Sequence, residues 1–230
     1  MPRKPKRPTN VEVVMRKLSR AITGLELPAI EKISEAQQED PFQVLIATLL
    51  SARTQDATTL AASTRLFRVA PTPQAMLALG ESGLIPYLNR IGLYQGKTRN
   101  ILATCRQLLE QHGGEVPHSR TALEALPGVG RKTANVVLNT AFGEATIAVD
   151  THIFRVANRT GLAPGKTPLA VERELLQAVP EEFLHAAHHW LILHGRYVCK
   201  ARKPDCRRCS IADLCAYPEK TRVPPEPPPR

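Results

Sequence analysis

Four cysteines near the end of the chain, Cys199, Cys206, Cys209 and Cys215 in the pattern C-x6-C-x2-C-x5-C, read as the ligands of one metal or iron-sulfur site. Only Cys206 and Cys209 have the short spacing of a zinc knuckle. The uneven spacing favours a [4Fe-4S] cluster, whose thiolates can come from one compact loop, over zinc or over disulfide-linked thiols. Lys200, Arg202, Lys203, Arg207 and Arg208 lie between or beside these ligands. A rigid loop of that charge would present cations to a polyanion.

A second set of reactive types lies upstream. In Leu126-Pro127-Gly128-Val129-Gly130-Arg131-Lys132-Thr133-Ala134, one helix ends, the chain turns tightly and another helix begins. Gly128 and Gly130 are expected to adopt backbone conformations that a Cβ would hinder, leaving the new helix's N–H groups facing outward as an anion site. A plain helix-helix turn is the alternative. Lys132 falls in the first turn, where the positive end of the helix dipole repels it. That repulsion, with Arg131 beside it, favours the neutral amine that a lysine needs in order to attack carbon. The competing reading is a solvated lysine that binds phosphate as a point charge. Asp150, in Val149-Asp150-Thr151-His152, reads as the N-cap of a helix starting at Thr151. It is equally placed to stabilise a developing cation, and the two roles are compatible.

The elements that must position these residues are helical. Apolar residues recur at three-and-four spacing over Phe42–Leu50, Leu77–Leu88, Ile101–Leu109, Ala134–Ala141 and Phe183–Leu193, with Gly, Pro and Asp between them. The run Ala145–Val149 is β-branched but has no alternating partner, so a buried connector is expected there. The fold class is all-α. Cys105 sits on an apolar helical face and reads as a core thiol, and Trp190 as core. His185, His188, His189 and His194 fall on one helix and read as packing or surface residues. The basic start and the Pro-rich end, 1–16 and 218–230, are expected to be disordered tails.

Lys and Arg number 31 against 21 Asp and Glu, a formal net charge of +10, which points to nucleic acid. Aromatics are only 4 % of the chain, so duplex binding through phosphates is favoured over stacking on single strands. No apolar run is long enough to span a bilayer and no secretory signal is present, so a cytoplasmic or nucleoid-associated protein is expected. No feature calls for an oligomer, and a monomer is expected.

The hairpin motif, Val149-Asp150-Thr151-His152 and the four-cysteine pattern, in that order and spacing, closely resemble the endonuclease III family of DNA glycosylases, from about Leu18 to about Tyr217. The resemblance implies two helical domains flanking a DNA-binding cleft. One is a six-helix domain over 34–144 with a helix-hairpin-helix at about 120–140; the other is a cluster domain from 17–33 and 145–217. It implies Lys132 as nucleophile, Asp150 as its carboxylate partner, and the four cysteines as [4Fe-4S] ligands. Leu126, Gly128, Gly130 and Arg131 would grip backbone phosphate, with His152 and Lys203 also at the DNA. Leu93, in Ile91-Gly92-Leu93-Tyr94, would be the wedge that fills the gap left by a flipped base, unless it is simply core. The family's other gap filler is a glutamine after Leu-Ser-Ala, where this chain has Arg53. Arginine donates to guanine especially well, so this departure bears on preference for the opposite base.

The activity so implied is a bifunctional glycosylase and abasic-site lyase that removes oxidised pyrimidines from duplex DNA. Lysine at position 132 argues against the related mismatch adenine glycosylases. The rivals from other classes are a non-catalytic iron-sulfur DNA-binding protein and a zinc nuclease, the latter requiring an open metal site.

Overall fold

The computed structural model describes residues 11–22, 24–36 and 40–220. Among these the chain forms eleven α-helices and no strand, and no helix is long and apolar enough to cross a membrane. It divides into two compact units, one of Met1–Leu25 with Val149–Arg230, the other of Glu26–Ala148.

The second unit is built around α3 (Pro41–Ser51), on which α2 (Ala29–Ala36), α4 (Asp56–Phe67), α6 (Tyr94–His112) and α8 (Arg131–Phe142) all pack. Asp40 caps α3 by accepting from the Gln43 N–H at 2.8 Å, and Pro41 begins it. Every residue from Phe42 to Leu50 is buried, the composition of a helix surrounded on all sides. The periodicity over Leu77–Leu88 is real but does not belong to one straight helix. Within α5 (Pro73–Leu88), Gly80 has φ +64° and breaks the rod in two, a conformation that glycine adopts without strain. Cys105 is fully buried on α6, and burial pushes its thiol up to about 12, the behaviour of a core residue. Among the described residues this unit holds seven helices, α2 to α8 (α7, Arg120–Glu124), because α2 joins the six expected over 34–144. Its Ile33 enters the same core as Leu45, Leu66 and Leu84.

The first unit packs α1 (Val11–Ala21) on α11 (Glu181–Tyr197), and α9 (Thr151–Thr160) on α10 (Pro168–Ala178) and α11. Here the expected basic tail over 1–16 must be shortened. Residues 11–16 are helical, because Val14, Met15 and Leu18 form an apolar face that is buried. At the other end residues 218–220 are placed, with Lys220 Nζ donating to the Ala212 carbonyl at 2.8 Å, so the tail expected over 218–230 does not start at 218. Residues 1–10 and 221–230 lie outside the described residues.

Candidate nucleic-acid interface

The turn between α7 and α8 is fixed from below. Leu126 and Val129 are buried in the core, and Thr104 on α6 donates to the Pro127 carbonyl at 3.1 Å. Gly128 has φ +78°, and a Cβ there would meet the Asn100 side chain at 2.5 Å, so this position requires glycine. Gly130 differs from expectation: its φ is −99°, open to any residue, and a Cβ would meet nothing. What Gly130 contributes is bareness. It is the N-cap of α8 and offers no side-chain oxygen to the N–H groups of the first turn. No acidic residue occupies the first turn. An anion fits there. Lys132 is exposed in that turn, and Arg131 lies 3.9 Å from Glu124 on α7. The Leu126 side chain is core, so only its backbone is left to face an anion.

After α8 the chain runs as the expected buried connector. Asn135 and Asn139 turn their amides onto it, donating to the carbonyls of Ile147 at 3.3 Å and Glu144 at 2.9 Å, and the Thr146 hydroxyl returns a bond of 2.6 Å to the Asn135 carbonyl. The connector is thereby held to the helix that carries Lys132, and leads directly into Val149 and Asp150.

Asp150 is the N-cap of α9. Its Oδ1 accepts from the N–H groups of both His152 and Ile153 at 2.8 Å, which leaves Oδ2 clear of the capping bonds. Arg155, one turn on, donates to three carbonyls: Nε to Cys199 at 2.8 Å, Nη2 to Gly195 at 2.7 Å and Nη1 to Thr151 at 3.3 Å. Its Nη2 also lies 3.1 Å from His152 Nδ1. Because arginine only donates, that nitrogen is the acceptor and the His152 proton sits on Nε2. A Cβ on Gly195 would come within 2.8 Å of the His152 Cβ, so the start of α9 and the end of α11 meet at a glycine.

In the other unit, two tight turns meet backbone to backbone. A Cβ on Gly92 would lie 2.5 Å from the Arg53 carbonyl oxygen. Leu93 follows with φ +58° and is 66 % exposed, so it is not core, while Arg53 has φ +53° and is exposed as well. Lys97 Nζ donates to the carbonyls of Leu50 at 2.7 Å and Ala52 at 2.5 Å, and to the Thr54 hydroxyl at 3.1 Å. Burial lowers the Lys97 ammonium to about 8. Among the described residues the non-glycine positions with positive φ are Arg53, Leu93 and Lys203. All three are residues expected at the DNA from the sequence. Left-handed backbone at side-chain-bearing residues costs about 1–3 kcal/mol each and concentrates at functional sites.

Cys199, Cys206, Cys209 and Cys215 line one cavity together with Arg159, Thr160 and His194. Burial pushes the Cys209 thiol up to about 11, with the three other cysteines adding to the rise, and burial raises Cys215 as well. The wall offers donors to sulfur: Arg159 Nη1 at 3.8 Å from Cys199 Sγ and the Tyr217 N–H at 3.4 Å from Cys215 Sγ. His194 Nε2 lies 3.7 Å from Cys209 Sγ. Arg159 further staples the loop to α9 through the carbonyls of Lys200 at 2.6 Å and Ala201 at 3.0 Å. Among the described residues no group of three His, Cys, Asp or Glu side chains converges closely enough for a single metal ion. Lys200, Arg202, Lys203, Arg207 and Arg208 are all exposed around this loop. His194, read from sequence as packing, is buried but turns its ring to the cavity, with burial lowering it to about 4. His188 is buried, His185 exposed, and Trp190 half-buried against Phe183 at 5.9 Å.

Sequence reasoning missed Lys97, Thr54, Arg155 and Arg159. Each makes contacts to residues more than 35 positions away.

The HhH-GPD superfamily base excision DNA repair protein profile matches residues 46–181. Endonuclease III of Escherichia coli (strain K12) is 61 % identical over 190 residues, covering 83 % of this chain and 90 % of that protein. Endonuclease III of Haemophilus influenzae is 60 % identical over 187 residues, covering 81 % and 89 %. The solved structure of a trapped endonuclease III-DNA covalent intermediate, an estranged-adenine complex, superposes with a TM-score of 0.80 at 37 % identity, covering 91 % of this chain and 96 % of that one. The hairpin, the capped aspartate and the four gathered cysteines thus lie on a chain that belongs to the endonuclease III family of the HhH-GPD superfamily of base excision DNA repair proteins.

Proposed function

We propose that this DNA glycosylase and abasic-site lyase removes oxidised pyrimidines from duplex DNA through a Schiff base on Lys132 and nicks the strand by β-elimination. The observation that carries this reading is an exposed lysine in the first turn of an uncapped helix. The bare N–H groups of α8 take a backbone phosphate while the amine meets the sugar. The damaged nucleotide is flipped out of the stack. Asp150 Oδ2 stabilises positive charge growing on the sugar, the Lys132 amine forms a bond to C1′, and the C1′–base bond breaks with the base leaving. The amine's surplus proton leaves with the base; O4′ then takes up a proton as the C1′–O4′ bond breaks, and the resulting iminium acidifies C2′. Loss of a C2′ proton and cleavage of the C3′–oxygen bond, followed by hydrolysis of the imine, leave an unsaturated aldehyde on one end and a phosphate on the other. Leu93 and Arg53 fill the gap in the duplex.

The donor set fits a [4Fe-4S] cluster better than zinc: four cysteines around one cavity, facing N–H donors, without the convergence that a single ion requires. When bound, the cluster supplies a rigid crosslink and takes no part in bond breaking. Arg155 and Arg159 tie that loop to α9, whose first residue follows Asp150.

Two measurements test this reading. Borohydride added to the protein on a duplex with one oxidised pyrimidine should give a covalent protein-DNA band that chelators leave unchanged. Absence of any band on both this and an abasic-site duplex, with binding intact, would favour a non-catalytic binder. For the cluster loop, Lys203→Asn removes the charge with a residue that tolerates the positive φ. Affinity should fall alike on damaged and undamaged duplexes, and the salt-dependence slope should drop by about 1. An unchanged slope rules out a phosphate contact by Lys203.

A further inference from the structure

We infer that Lys97 is a positioning residue for damage recognition, a tethered cation that locks together the two turns carrying Arg53 and Leu93. The inference rests on the reading that those two side chains enter the gap left by a flipped base.

An ammonium has three donors, and here all three are used on one side: the carbonyls of Leu50 and Ala52 and the hydroxyl of Thr54. The Leu50 carbonyl belongs to the last turn of α3, whose orphan acceptors and negative dipole end favour a cation. The Thr54 hydroxyl is saturated in the same way. It donates to the Ala52 carbonyl at 3.3 Å and accepts from Lys97 and from the Gly92 N–H, the latter at 3.2 Å. That last bond crosses from the Arg53 turn to the Leu93 turn. One lysine and one hydroxyl therefore fasten both turns at the place where Gly92 meets the Arg53 carbonyl.

What the lock opposes is backbone strain. Arg53 and Leu93 hold left-handed conformations that side-chain-bearing residues leave when released. Freed, each turn would relax and the two exposed side chains would lose their fixed presentation. Insertion into DNA would then require them to be ordered at the moment of binding, which lowers affinity for the flipped state alone. A lysine that only touched phosphate would act differently, lowering affinity for every duplex.

The test compares affinity for a duplex carrying a tetrahydrofuran abasic analogue with affinity for the same duplex undamaged, over a salt series. The base opposite the analogue is 2-aminopurine, whose fluorescence reports insertion. For Lys97→Met, affinity for the analogue duplex should fall about tenfold with a smaller fluorescence change, while undamaged-duplex affinity stays within about twofold and the salt slope is unchanged. Lys97→Arg should show the same loss despite keeping the charge, because a planar guanidinium cannot converge three donors on this ring of oxygens. Thr54→Val, nearly isosteric, should lose part of the discrimination, which decides the matter should a Lys97 variant fail to fold. A wild-type-like arginine variant beside a methionine variant weakened on both duplexes, with a slope lower by about 1, would make Lys97 a phosphate contact. Wild-type discrimination in all three variants would equally overturn the inference. If wild type itself neither prefers the analogue nor forms a borohydride adduct, the glycosylase-lyase reading fails instead.

Discussion

Lys132→Ala should abolish the borohydride-trapped adduct and lower strand nicking by at least about 10³-fold, while binding to undamaged duplex changes only slightly. The asymmetry follows from where Lys132 sits. The contacts offered to a phosphate are main-chain N–H groups at the bare end of α8, and alanine keeps every one of them. Alanine at the second residue of a helix also leaves the local fold intact, since Lys132 is exposed and Ala134 still donates to the Gly130 carbonyl at 2.9 Å. What disappears is the amine proposed to form the carbon-nitrogen bond. A protein that merely binds damaged DNA would lose one phosphate charge and show a salt slope lower by about 1, with no catalytic deficit. Nicking retained at more than a few per cent of wild type would remove Lys132 from the chemistry.

The residues proposed for the chemistry and for the cluster were legible because their signals are local. Lys132, Asp150 and the four cysteines each stand in a short motif, and a cap or a ligand spacing is a property of neighbours in sequence. The supports were not legible, because they close over long stretches of chain. Lys97 meets Thr54 across 43 positions and Arg155 meets the Cys199 carbonyl across 44. One sign of Lys97 was present all the same. It lies in the first turn of α6 just as Lys132 lies in the first turn of α8, and a lysine at the positive end of a helix needs a reason in either place. The glycines divide similarly. Gly128 combines a positive φ with Asn100 lying where a Cβ would stand, whereas Gly130 serves by lacking a side chain. The helical pattern was read correctly in its period and less well in its limits. The prolines and basic residues of the start hid Val14 and Met15, and Gly80 cut a run whose apolar spacing continues across the break.

Asp150→Asn should lower base release by roughly 10²–10³-fold while the melting temperature stays within a few degrees of wild type. The separation is possible because the two roles fall on different oxygens. Both capping bonds end on Oδ1, and the asparagine side-chain carbonyl accepts them equally well. The variant therefore keeps α9 in place, along with the Arg155 staple and the His152 tautomer, and removes only the negative charge. Asp150→Ala gives the contrast, losing the charge and the cap together, with about 1 kcal/mol of stability lost beside the same fall in rate. If the asparagine variant released base at the wild-type rate, Asp150 would be a helix cap and nothing more. If both variants fell in stability by equal amounts, the charge itself would be holding the end of α9. The expected pattern, a rate that follows the charge and a stability that follows the acceptor, assigns one side chain two jobs that the helix terminus makes compatible: the cap fixes the direction in which the free oxygen points.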